Sequence, residues 1–530
     1  MSRILPLILL VPLAASCSSG GSGAQGPARG GTVTLPIVED PENLNPYLEQ
    51  TNETNLITKT IYQDLVDLSP TGKYVPVLAA ALPNVSANGK VVTWTLKKGI
   101  RWSDGTPFTS ADVVYTAKLL ITGLGVSGLG WNLITSVTAP TAYSVRLTYS
   151  KFDPAYLDQF SGMAPDGGTQ GIFSKDACGT SGPQDLSDLR CTSKPVGTGP
   201  FILSSWRRGE AVTLAKNRYY AGPGPYLDKI IFPEVPSAFV DNEMLQSNQA
   251  QALWSIDYHS VKQLRASGAT VVANNLWASR MEINNTQPIT SDVRVRQAMS
   301  LALNRASIVK YIFDGESTPI YSNLFSIGNA PTGTYDPAAA GKLLTQAGWI
   351  QGAKGQPRVK DGQPLKLNLL IPSQSSGYAA LGQYVQSELA AVGIGISITV
   401  SSDEDTRILK GQYNLALRDD GFVGDPIGYM ERYYLTDSKP ASDGTWDSGW
   451  NVDRYESPQF DAAIKKAQVQ PDNAKRDQAL LAANAIWQRD MPAVFLATYP
   501  YPDVYSAALH GWQPNPNSPM TWDVAQWYLR

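Results

Sequence analysis

The chain has 530 residues, 17% of them charged, and a formal net charge of −3 at pH 7; it is too long for one hydrophobic core and lacks the long basic run that a nucleic-acid partner requires. Tyr outnumbers Phe by 25 to 12 and Trp reaches 13; these side chains join an apolar face to a polar tip, which suits hydrated grooves as well as ordinary cores. Only two histidines occur, His259 and His510. With no Gly-x-Ser-x-Gly elbow, His–Glu–His spacing or Cys-x-x-Cys pair, hydrolase and metal chemistry lack their usual signatures; only a two-carboxylate glycosidase stays open on composition.

Arg3 and the apolar run of residues 4–13 have the form of a signal peptide, too short to span a bilayer. The run ends in Leu13-Ala14-Ala15-Ser16-Cys17, which resembles a bacterial lipobox, although Leu stands four residues before the Cys rather than three. On that reading residues 1–17 direct export, Cys17 takes the lipid, and the Gly/Ser/Pro-rich residues 18–30 form a disordered tether. An ordinary secretory signal with an incidental Cys is the alternative. The other two cysteines, Cys178 and Cys191, lie in a Gly/Ser/Asp-rich stretch. An even pair in an exported chain reads as a disulfide, worth about 3 kcal/mol for a loop of this size. A metal site is the weaker reading, because no His or further Cys stands at ligand spacing.

Along the chain, Thr32 to Ile37 predicts a strand, and Asn55 to Leu65 a helix with Ile57, Ile61 and Leu65 at spacing four. Val92, Trp94 and Leu96 alternate as one strand face, Asp104-Gly105 marks a tight turn, and Thr109 with Asp112 forms a capping box before a helix over 110–120. Gly123-Leu124-Gly125-Val126-Ser127-Gly128 matches the dinucleotide fingerprint, but a helix precedes it where a strand is needed, so it reads as a loop. A hairpin runs from Phe201 through Trp206 to Leu214, followed by Asn217-Arg218-Tyr219-Tyr220. Val295, Ala298, Met299 and Ala302 mark an amphipathic helix, and Asp336-Pro337 opens another with Ala340, Leu343, Leu344 and Ala347 before Gly348. Ser402-Asp403-Glu404-Asp405 reads as a solvated loop, since a calcium loop needs alternating ligands and a Gly hinge. A strand then leads from Ala416 to Gly421-Phe422-Val423-Gly424-Asp425.

Four of these segments resemble, in order, the signatures of the family 5 solute-binding proteins, the dipeptide and oligopeptide receptors of ABC importers. They are Gly99-Ile100-Arg101-Trp102-Ser103-Asp104-Gly105-Thr106-Pro107-Phe108-Thr109-Ser110-Ala111-Asp112-Val113; Gly197-Thr198-Gly199-Pro200-Phe201 with its Asn217 turn; Val295-Arg296-Gln297-Ala298 through Asn304-Arg305; and the helix from Asp336 to Gly348. The resemblance implies an α/β fold of the large three-domain periplasmic-binding-protein kind (type II), two lobes closing about a two-strand hinge. Domain I would comprise residues 31–69, 195–286 and 503–530, domain II residues 70–194, and domain III residues 287–502, with ligand in the cleft between domains I and III.

The resemblance also implies a site. Gly421-Phe422-Val423-Gly424-Asp425 is similar to the family's Gly-Trp-x-[Gly/Ala]-Asp element, whose Asp pairs with the peptide's α-amino group. Asp425 would be that partner and Phe422 the wall in place of Trp; here Pro426 follows at once, where the family often has a second Asp-Pro further on. An ammonium in a closed cleft needs a carboxylate; an Asp in an exposed turn before Pro426 is the plain alternative. Trp254 falls where a pocket residue of domain I lies, Asn285 resembles the Asn at the start of the hinge crossing, and Arg418 is a candidate for the peptide carboxylate. The expected protein is a monomeric, lipid-anchored receptor of the bacterial cell envelope that binds short peptides and hands them to an ABC permease. No covalent chemistry, cofactor, metal or nucleic acid is expected. Relatives binding haem, metal chelates or oligosaccharides offer the nearest alternative ligands, and a secreted hydrolase is a distant one.

Overall fold

The computed structural model describes residues 26–530 apart from 49–50, 123–129, 163–167, 180–185, 236, 274–276, 323, 325–332, 354, 374–375, 422–425, 441–448 and 471–472. Cys17, most of the tether and the Gly123–Gly128 loop therefore lie outside the described residues. The last part of the expected tether, residues 26–30, instead lies against the folded body: Gly30 donates its amide to the Tyr226 carbonyl at 2.7 Å, and Arg29 sits over the Tyr226 ring.

Strand β1 (Thr32–Thr34) leads to helix α1 (Asn52–Ile61), N-capped by Thr51, whose hydroxyl accepts from the Thr54 amide. The helix starts earlier than its apolar spacing suggests and stops at Ile61 rather than Leu65. Its end is used by another segment: the Ile61 carbonyl accepts the Gly199 amide at 2.9 Å. A Cβ on Gly197 would lie 1.8 Å from that same oxygen, so the Gly-Thr-Gly signature is the footprint of a close backbone approach.

Strands β2 (Asn84–Val85), β3 (Val91–Thr95), β4 (Ile134–Thr141) and β5 (Ser144–Tyr149) form an antiparallel sheet in the order β2-β3-β5-β4. The alternation of Val92, Trp94 and Leu96 places all three in the core. Helix α2 (Ser110–Ile121) carries the predicted capping box, the Thr109 amide donating to Asp112 at 2.8 Å. The other oxygen of Asp112 accepts the Lys175 amide at 3.0 Å, tying the helix start to the segment in which Cys178 and Cys191 are joined by a disulfide. Strands β6 (Phe201–Arg207) and β7 (Ala211–Lys216) make the Trp206 hairpin, and β8 (Lys229–Pro233) sits between β7 and a parallel β1.

Two short strands, β9 (Ala252–Leu253) and β10 (Thr270–Val272), precede the second large sheet. That sheet has five strands, β11 (Trp277–Ile283), β12 (Lys366–Pro372), β13 (Gly395–Ser401), β14 (Leu415–Gly421) and β15 (Ala493–Tyr499), in the order β13-β12-β14-β11-β15. β12 is parallel to β13 and β14, while β11 is antiparallel to both its neighbours. Strand β16 (Asp503–Tyr505) then pairs antiparallel with β9 and β10.

The signature helix α3 (Val293–Ala302) buries Val295, Ala298, Met299 and Ala302 as its spacing predicts, and α4 (Arg305–Tyr311) follows. Their arginines are also buried, which periodicity does not foretell. Arg296 donates to the carbonyls of Thr290, Ser291, Asp490 and Met491, and Arg305 to those of Ser300, Leu303, Ile320 and Phe495. A planar five-donor fork can satisfy that many carbonyls at once, and an ammonium cannot. Helix α5 (Pro337–Gln346) is capped by Asp336 with Pro at its first position. Helix α6 (Ser376–Ala391) connects β12 to β13. Ser402–Asp405 is no loop: Asp403 is the N-cap of helix α7 (Glu404–Leu409).

The chain crosses between the two halves twice, side by side. β10 ends at Val272 and β11 begins at Trp277, while β15 ends at Tyr499 and β16 begins at Asp503; Val272 pairs with Asp503 on one side and Trp277 with Tyr499 on the other. β11 belongs wholly to the second sheet, so the first crossing precedes Trp277 and does not lie at residue 286 as the resemblance implied.

Candidate functional site

Strand β14 runs toward the crossings and ends at Gly421, opposite Trp277 at the start of β11. The Trp277 indole covers Gly421 so closely that a Cβ there would lie 3.2 Å from the ring. Trp277 meets Tyr501 edge-on at 5.8 Å, Tyr501 packs on Tyr499 at 4.8 Å, and Tyr499 on Tyr378 at 5.7 Å. This aromatic wall surrounds one carboxylate: Asp419 accepts hydrogen bonds from the hydroxyls of Tyr378 at 2.5 Å and Tyr501 at 2.7 Å. Burial first, and the Asp419 charge second, push both phenols well above their ordinary pKa. Both therefore stay protonated as donors, and the pair holds Asp419 in one orientation.

The second crossing also receives the segment between β9 and β10. Ile256 donates its amide to the Pro502 carbonyl at 3.1 Å, and Ser255, at the positive φ of 52°, donates to the Asp503 carboxyl. Asp503 is buried, its Oδ1 has no hydrogen-bond partner among the described residues, and burial raises its pKa to about 8. Trp254, immediately before Ser255, is half-buried at this junction. Gly421 and Trp254 thus both come to the crossings.

Two other candidates do not. Asn285 lies beyond the far end of β11, roughly 20 Å of strand from Trp277. Its side-chain amide donates to the carbonyls of Ile283, Asp453 and Pro492 at 2.8–3.0 Å. It pins loops together at the end of the sheet away from the crossings. Arg418 faces the opposite way from Asp419 and pairs with Asp405 of α7 at 2.8 Å, so its guanidinium is already engaged by the protein's own carboxylate. Asp425, Phe422 and Gly424 lie outside the described residues.

Helix α8 (Pro426–Tyr434) follows that segment and is held from below by a buried ionic cluster. Arg280 of β11 donates Nη1 to the hydroxyls of Tyr429 at 2.8 Å and Tyr434 at 3.1 Å, stacks on Tyr433 and pairs with Glu282. Asp453 accepts the Ile283 amide at 2.8 Å, and burial beside the Glu282 carboxylate drives its pKa well up. Asp453 thus favours its neutral form beside the Arg280–Glu282 ion pair, which keeps the buried cluster near neutrality. Sequence reading missed Trp277, Tyr378, Asp419, Tyr499, Tyr501 and Asp503. The one available signal was the surplus of Tyr and Trp, which names no positions.

Residues 73–441 match the sequence profile described as "Bacterial extracellular solute-binding proteins, family 5 Middle". The chain belongs to that family. Among relatives of this solute-binding protein, the glutathione-binding protein GsiB of Pectobacterium atrosepticum is 25% identical over 91% of this chain and 91% of its own. The oligopeptide-binding protein AppA of Bacillus subtilis is 24% identical over 73% of this chain and 72% of its own. The AppA structure in complex with a nonapeptide superposes on the solute-binding protein with a TM-score of 0.73, at 20% identity, covering 95% of this chain and all of that one. NikA of Brucella suis, solved with Fe(III)-EDTA, gives 0.81 at 20% identity, covering 94% and 100%. The fold is that of the type II periplasmic solute-binding proteins. Among the described residues no helix is long and apolar enough to cross a membrane, and no group of three or more His, Cys, Asp or Glu is placed to hold a metal ion.

Proposed function

We propose that this protein is a lipid-anchored receptor that captures short peptides in the cleft beside its two crossings and passes them to an ABC permease. It acts as a monomer anchored through Cys17 and performs no covalent chemistry. The observation that carries the reading is the convergence at the end of β14. There Gly421, Trp277, Tyr501 and the doubly bonded Asp419 form a fixed polar and aromatic surface at the last described residue before 422–425. Relatives named for glutathione and oligopeptide binding support the ligand class. Asp425 pairs with the peptide's α-amino group, Phe422 and Gly424 flank it, and Trp254 closes the pocket from the other lobe. Side-chain pockets around an extended peptide stay hydrated and tolerant.

Calorimetry tests this with Asp425→Ala and an N-acetylated peptide in a double-mutant cycle. Removing one partner of a desolvated charge pair costs about 2–5 kcal/mol, so the mutation should weaken the free peptide strongly and the acetylated one little. A coupling energy near zero in a folded variant places the amine elsewhere. Mass spectrometry of ligand released from the purified protein separates peptide from haem, chelate or oligosaccharide.

A further inference from the structure

An open depression lies at the other end of the five-stranded sheet. Because β12 runs toward the crossings and α6 returns antiparallel to it, the C-terminal end of α6 and the start of β13 face away from the cleft. There Arg358 is 6% exposed. Its Nε donates to the Val392 carbonyl at 2.8 Å, and Nη1 donates to the Trp349 carbonyl and the Thr345 hydroxyl, each at 3.0 Å. Nη2 has no hydrogen-bond partner among the described residues. Among the described residues no carboxylate pairs with this cation, and burial pulls its pKa below the usual arginine range.

Arg358 lines an open depression of about 590 Å³ between α5 and the end of α6, together with Lys342, Gln346 and Gln351, and among the described residues no acidic one lines it. Gly341 keeps the approach to the guanidinium open, since a Cβ there would stand 3.1 Å from Nη2. A fixed, desolvated guanidinium with a spare donor is already oriented, so an incoming anion orders little on binding. The volume exceeds that of a bare ion and leaves room for the organic body of a small ligand.

We propose that this depression binds a small organic anion through a carboxylate or phosphate group, held by Nη2 of Arg358 at the floor and by Lys342 at the rim. The site is independent of the cleft. Its occupant is therefore a second ligand, bound whether or not a transported solute is present.

Calorimetry on the intact protein, with ionic strength balanced by sodium chloride, would use citrate and inorganic phosphate as probes. The tighter binder identifies the anionic group. Lys342→Gln removes the rim charge, and Gly341→Leu fills the space before Nη2 with a good helix former; each should weaken binding by about tenfold or more. Binding of a cleft ligand by these variants should be unchanged, which separates loss of the anion site from damage to the fold. No heat with either probe at about 10 mM, or wild-type affinity in both variants, overturns the assignment.

Discussion

The Tyr501 hydroxyl donates a 2.7 Å hydrogen bond to Asp419, joining the second crossing to the strand that ends at Gly421. The same carboxylate is held from α6 by Tyr378, so one charge ties three chain segments at the point where the halves meet. A hydrogen bond to a charged acceptor contributes about 1.5–3 kcal/mol. Tyr501→Phe should therefore lower stability in urea unfolding by about 2 kcal/mol, with the loss largely absent in an Asp419→Ala background. Equal losses in both backgrounds would show that packing of the ring, and not the bond, carries the effect.

Gly421 has no room for a side chain beneath Trp277. Gly421→Ala should displace the indole, costing about 1–3 kcal/mol by overpacking and shifting tryptophan emission. Unchanged stability together with unchanged emission would mean that the ring yields freely and is no fixed wall.

Arg280 pairs with the buried Glu282 beside the raised-pKa Asp453, and its loss removes the cation from that pair of acids. Arg280→Met should destabilise the fold by about 3–5 kcal/mol. Glu282→Gln combined with Arg280→Met should recover part of that loss, and failure to recover any would assign the arginine's role to its stacking on Tyr433.

Asp503 carries a pKa raised from 3.8 to about 8 by burial. Between those values the folded state holds a proton that the unfolded state has released, so stability from this group falls as pH rises through that window and levels off above about 8. Asp503→Asn removes the titration. Its stabilising effect should be small at pH 4 and grow to the order of 1–3 kcal/mol at pH 8, read from melting temperatures across pH. A mutational effect independent of pH would show that Asp503 does not take up the proton.

The sequence by itself determined the elements whose logic is local, and through its ordered signatures the family. Alternation at Val92, Trp94 and Leu96, the cap at Thr109 and Asp112, and the apolar stripe from Val295 to Ala302 each involve neighbours within one strand or one helical turn, and all three recur in the structure. The start of α7 after its N-cap Asp403 and the end of α1 at Ile61 differ from the sequence reading, and at Ile61 a distant segment takes part, since Gly199 takes its carbonyl. Only the tertiary structure decided the site. Asp419 meets Tyr501 from 82 residues away, and Arg280 meets Tyr429 from 149. Asn285, which motif resemblance placed at the hinge, stands at the far end of β11, because strand pairing sets which end of a sheet faces the crossings. Hydrogen bonds and ion pairs of that span depend on where separate chain segments are brought by packing, and no periodicity or spacing in the sequence encodes that meeting point.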